Sequence, residues 1–117
     1  MKTLLILNDP PYGTERCYNA LRLALVLLKH DPDTEITVFL MADAVVAARK
    51  GQKTPDGYYN IERMLKRVVS GKGRLLLCST CMDARGLTEA EIMDGAHRST
   101  MDELAAQALA ADKMLVF

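Results

Sequence analysis

Residues 75–86 read LLLCSTCMDARG. The first four are apolar without alternation, and Gly71 and Gly73 stand just before them. A short continuous apolar run bounded by turn residues fits a strand covered on both faces, as in a parallel sheet. Two of the three cysteines, Cys78 and Cys81, fall where this strand gives way to the next segment, which closes on Arg85-Gly86. Runs of the same kind recur at 3–7 (TLLIL), 36–41 (ITVFLM) and 114–117 (MLVF).

The segments between these runs have helical spacing. Thr14 is a candidate cap for a helix with Glu15 in its first turn, and Leu21, Ala24, Leu25 and Leu28 form its buried stripe. Leu23 and Leu27 widen the stripe, and Asp31-Pro32 stops the helix. Asp43 is a candidate cap for a short helix ending near Lys50, with Gly51 beyond it. Residues 51–58 (GQKTPDGY) read as an exposed loop, a candidate flap. Ile61, Met64, Leu65 and Val68 share one helix face. Thr88-Glu89-Ala90-Glu91 is a capping-box pattern, and Thr100 to Glu103 repeats it. The order β-α-β-α-α-β-α-α-β predicts an α/β fold. The expected form is a three-layer α/β/α sandwich with a mostly parallel central sheet of four to five strands, one domain over residues 1–117.

Charge and length exclude several classes. Fifteen basic and fifteen acidic residues leave no formal net charge, which argues against a nucleic-acid binder with a broad basic face. No apolar run approaches the roughly 20 residues that span a bilayer, so no membrane partner is expected. The apolar start breaks at Asn8 with no small-residue cleavage site. Three cysteines, an odd number without framework spacing, suit a reducing compartment. The expected location is cytoplasmic.

Ligands of parallel α/β sheets bind outside the carboxyl ends of the strands. Three segments reach that edge: 8–13, 41–43 and 78–86. There is no GxGxxG and no GxxxxGK[ST], and GKGR at 71–74 leads into a strand, so no nucleotide fingerprint is present. The cysteines carry the sharper signal. A sulfur nucleophile reacts as the thiolate, which positive potential favours. Arg85, or backbone N–H groups of a turn starting there, are the candidates to supply it. The bland alternative is a small apolar residue closing a strand, since free cysteine is commonly buried. Zinc is disfavoured: there is one CxxC, Cys17 falls in a helix stripe, and His30 and His97 are lone histidines. No metal ligands are therefore assigned. A thioredoxin-like dithiol is the usual reading of CxxC near a βαβ unit, but MDARG is a poor helix start. A persulfide carrier is the third reading. Ser79 and Thr80 have no nearby histidine to activate them. Caps and turns account for Asp9, Asp43 and Asp83 as well as acid–base roles do, and Tyr12, Tyr58 and Tyr59 lie in or beside loops.

Four segments in this order carry a resemblance: PPYGTE after the first strand, FLMADAVVAARKGQK after the second, CSTCMDARGL after the third and ADKMLVF at the end. Through them the whole chain resembles the DsrE/DsrF-like family, in particular its YchN-like branch. The resemblance implies the three-layer fold and a compact homo-oligomer, trimeric or hexameric, with the cysteine loop near subunit interfaces. It also implies sulfur handling, because the TusD-like and DsrE-like relay subunits carry sulfur as a cysteine persulfide. Their acceptor position matches Cys78, the end of the segment matches Arg85 and Gly86, and a Tyr-Gly in the first loop matches Tyr12 and Gly13. Cys81 is extra relative to those single-cysteine subunits and is shared with YchN-like proteins.

The expectation is a cytoplasmic sulfurtransferase-like protein that accepts sulfane sulfur on Cys78 and passes it on. Arg85 and backbone donors would hold the thiolate, and Cys81 would resolve or share the sulfur. Tyr12, Gly13, Asp43 and Gly86 would shape the ligand site. No metal or organic cofactor is needed, and the partners would be sulfur donor and acceptor proteins. Two alternatives stay open: a non-enzymatic oligomeric small-ligand-binding or assembly module, and a CxxC thiol–disulfide oxidoreductase.

Overall fold

The computed structural model describes residues 1–117. The chain runs β1 (Lys2–Leu7), α1 (Arg16–His30), β2 (Glu35–Leu40), a 3₁₀ segment (Ala42–Ala48), α2 (Ile61–Ser70) and β3 (Arg74–Cys78). It continues through α3 (Ser79–Ala84), a 3₁₀ turn (Glu89–Glu91), β4 (Ala96–Ser99), α4 (Met101–Ala110) and β5 (Lys113–Val116). The five strands form one sheet in the order β4-β3-β2-β1-β5, parallel throughout. One row across it reads Leu115, Leu5, Val38, Leu75, Ala96. The steps from β1 to β4 all move in one direction, and the step from β4 to β5 returns across the sheet. Right-handed crossovers then put α1 and α2 on one face and α4 on the other.

Apolar runs without alternation reflect this double cover. Leu4, Leu5, Leu7, Val38, Phe39, Leu40, Leu75, Leu76 and Leu77 are all buried. The hydrophobic layer of α2 is Ile61, Met64, Leu65 and Val68, as its spacing predicts. The capping box at Thr88 and Glu91 forms, and Thr100 caps α4 by accepting the N–H of Glu103 at 3.2 Å. No helix is long and apolar enough to cross a membrane.

The structure corrects several local readings. A fifth strand, β4, lies over AHRS, which has no apolar pattern. It is an edge strand, so backbone pairing to β3 suffices, and His97 and Arg98 project from it partly exposed. Gly95 introduces it with φ +88, where an added Cβ would stand 2.6 Å from Val69 Cγ1. Thr14 does not cap α1; Glu15 occupies the cap position without a side-chain bond. Asp43 does not cap the segment after β2, which is 3₁₀ and begins after Met41. The unforeseen cap is Asn60, which accepts the N–H of Arg63. Residues 79–84 are helical rather than loop.

The candidate flap is tied down at its base. Buried Glu62 accepts the N–H groups of Gly51 and Gln52 through one oxygen, both at 3.0 Å, and its other oxygen meets Lys66 at 3.1 Å. Burial pushes the Glu62 carboxyl up, but the Gln52 N–H, the Lys66 ammonium and the Gly51 N–H outweigh it, and the group stays below the usual range. Gln52 and Asn60 add bonds to Ala47, Arg49 and the Gln52 carbonyl.

Candidate functional site

Cys78 ends β3 and occupies the cap position of α3. A helix starting directly from a central strand leaves its first N–H groups without carbonyl partners. Here a sulfur answers one of them. Cys78 Sγ accepts the N–H of Cys81 at 3.3 Å and lies 3.3 Å from the Thr80 hydroxyl. The residue is only 8% exposed. Burial pushes its thiol up, but bonds from the Cys81 thiol, the Thr80 hydroxyl and the N–H groups of Cys81 and Thr80 bring it below the ordinary thiol value. Cys81 moves the other way. Burial and the bond it gives to Cys78 raise it, against the Ala42 N–H and Arg85, which lower it. The two thiols are thus displaced in opposite directions.

A cavity of about 150 Å³ opens beside Cys78. Phe39 and Met41 supply apolar wall, Thr80 and Thr100 supply hydroxyls, and Met101, 62% exposed, stands at its margin. Two helices, α3 and α4, begin at this cavity, and helix starts carry positive potential. The space suits a few heavy atoms rather than a large organic ligand.

The other residues singled out by sequence do not all gather here. Arg85 Nε binds Asp43 Oδ1 at 2.9 Å, and its Nη1 donates to the Cys81 carbonyl at 3.1 Å. Its charge thus favours the Cys81 thiolate and braces the end of α3, instead of holding Cys78. Asp43 is its partner across from the 3₁₀ segment. Gly86, at φ +63, ends α3. Tyr12 and Gly13 do not line the cysteine cavity. The Tyr12 hydroxyl donates to Gln52 Oε1 at 2.6 Å and accepts the N–H of Ile61 at 3.1 Å, so it braces the loop before α2. Gly13 makes a turn at φ +99. Cys17 is fully buried, donates to the Asp9 carbonyl at 3.1 Å, and is pushed up to about 11 by burial and the Asp9 charge. No cluster of His, Cys, Asp or Glu is arranged to hold a metal ion.

Arg98 escaped sequence reading. From β4 it donates to Ser79 Oγ at 2.7 Å and to Asp83 at 3.1 Å, and it meets Glu89 at 3.2 Å. It straps α3 to the sheet edge and so fixes the donors on Cys78. Its signal was hidden because AHRS has no strand pattern.

These features define a parallel α/β protein with a thiol poised at the carboxyl end of a central strand. The chain belongs to the DsrE/DsrF-like family, whose model matches residues 1–117. Protein YchN of Escherichia coli is 40% identical over 116 residues, 99% of this chain and 98% of its own. An uncharacterised protein of Methanocaldococcus jannaschii is 35% identical over 117 residues, the full length of both. The crystal structure of the Escherichia coli ychN protein matches with a TM-score of 0.94 and covers 99% of this chain and 98% of that one. A protein of unknown function from Methanobacterium thermoautotrophicum shares the fold, with a TM-score of 0.79 at 13% identity over 99% of this chain and 97% of its own.

Proposed function

We propose that Cys78 accepts a sulfane sulfur and passes it on as a persulfide. The observation that carries this reading is the pair of contacts on Cys78 Sγ, the Cys81 N–H that donates to it and the Thr80 hydroxyl that can donate to a thiolate. They favour the thiolate at the mouth of a cavity with room for added sulfur. In the loading step the thiolate attacks the outer sulfur of a donor persulfide R–S–SH. The donor S–S bond breaks, R–S⁻ leaves and Cys78–S–SH forms. In the unloading step an acceptor thiolate takes the outer sulfur and the Cys78 thiolate leaves. A lowered pKa makes Cys78 the better leaving group. Donor and acceptor are proteins or small thiols, and a free cysteine pair suits a reducing cytoplasm. Exposed Met114 and Val116 on edge strand β5 support assembly with further copies, a trimer or hexamer, which light scattering after gel filtration tests.

Intact-mass spectrometry after incubation with a persulfide donor tests the carrier. A gain of about 32 Da that disappears in Cys78→Ser and survives in Cys81→Ser supports it. No gain in any protein removes it and leaves the non-enzymatic binding or assembly module.

One observation favours a second reading. The CxxC does open a helix, and Cys81 stands in its first turn, donating its N–H to Cys78 Sγ at 3.3 Å. On that reading the Cys81 thiolate attacks the inner sulfur of Cys78–S–SH, HS⁻ leaves, and a Cys78–Cys81 disulfide remains for an external dithiol to reduce. Loss of two hydrogens in the wild type alone identifies it.

A further inference from the structure

Five of the eight arginines have carboxylate partners: Arg16 with Asp9, Arg49 with Glu91, Arg74 with Glu103, Arg85 with Asp43, and Arg98 with Asp83 and Glu89. The three without one are Arg22, Arg63 and Arg67, and all three line a single groove between α1 and α2. No acidic side chain lines it. In a chain of zero formal net charge, three uncompensated guanidiniums therefore share one concavity. Arg63 and Arg67 stand one turn apart on α2, a spacing at which like charges repel. Arg22 faces them from α1, 5.4 Å from the Tyr18 ring, and its one side-chain hydrogen bond is to the neutral Asn19. An anion in the groove would relieve this repulsion.

The rest of the groove is aromatic and apolar. Tyr18 and Tyr59 are stacked with centroids 4.2 Å apart, and Tyr58, 71% exposed, stands beside them with Val26, 50% exposed. The volume, about 510 Å³, is that of a small-molecule site. Forked guanidiniums match phosphate oxygens in pairs, and three of them exceed what one carboxylate needs. An open tyrosine ring suits a planar base.

We propose that this groove binds a nucleoside phosphate, its phosphates on Arg22, Arg63 and Arg67 and its base on Tyr58. No glycine-rich phosphate loop is involved, which is why no sequence motif announces the site. The proposal is independent of the cysteine chemistry.

Calorimetric titration of the full chain with adenosine diphosphate, inorganic pyrophosphate and adenosine tests it. The expected result is saturable binding of the diphosphate, weakened by salt, with pyrophosphate and adenosine each binding more weakly. Arg63→Gln and Arg67→Gln, both at exposed positions, should each weaken it about tenfold, while Cys78→Ser binds as the wild type does. Absence of diphosphate binding, binding unchanged in both arginine variants, or pyrophosphate binding equal to that of the diphosphate overturns the proposal. So does dissociation of an assembly by Arg63→Gln, which would make the groove a contact between copies.

Discussion

The backbone N–H of Cys81 donates to Cys78 Sγ at 3.3 Å, across the first turn of α3. The second cysteine of the CxxC thus acts on the first through its backbone as well as its thiol. A serine at 81 keeps the backbone donor and loses the thiol, which is why it separates a carrier from a dithiol.

Alkylation should follow the same asymmetry. Iodoacetamide at neutral pH is expected to modify Cys78 ahead of Cys81 and Cys17. The rate for Cys78 should reach half its plateau below the ordinary thiol value of 9.0, because a lowered pKa populates the thiolate at lower pH. Thr80→Val removes one donor and should raise that midpoint by about one pH unit. Peptide mapping of rate against pH checks both, and equal labelling of Cys17 would contradict the assignment.

Arg98→Gln should loosen α3. It gives up the ion pairs to Asp83 and Glu89 and weakens the bond to Ser79. The expected cost is about 1–2 kcal/mol in urea denaturation. Cys78 alkylation should also move to higher pH, a change that a purely structural loss elsewhere would not produce.

Glu62→Ala should strand the Gly51 and Gln52 N–H groups and cost about 2–4 kcal/mol. Proteolysis should then enter at residues 51–58. In the wild type the lowered carboxyl adds stability that is full above its unfolded value of 4.5 and fades as pH falls through the lower folded value. Acid titration of the unfolding midpoint, wild type against Glu62→Gln, isolates that contribution.

Cys17 gives the opposite sign. Its thiol is pushed up from 9.0 to about 11, so its contribution is intact below 9.0 and is lost progressively as pH rises towards 11, where the unfolded chain releases a proton the folded chain retains. Cys17→Ala should flatten the alkaline fall in urea midpoint between those pH values. An unchanged slope would refute burial as the cause.

Much of the sheet was legible because its central strands are covered on both faces. TLLIL, ITVFL and LLLC are apolar at all but Thr3 and Thr37, and that leaves a visible mark. Strand β4 left none, since an edge strand needs only a neighbour's backbone, and with it Arg98 went unread. The start of α3 was obscured because Cys78 does the work of a capping oxygen, an unusual use of sulfur.

By itself, then, the sequence determined the parallel α/β order, the helix faces and the placing of a CxxC at the carboxyl edge, since these follow from local periodicity and turn chemistry. Tertiary structure decided which partners meet. It turned Arg85 towards Asp43, sent Tyr12 to Gln52, and brought the first turn of α4 beside Cys78. It also left three arginines facing one groove. Such pairings depend on distances between segments far apart in the chain, and no spacing along the sequence encodes them.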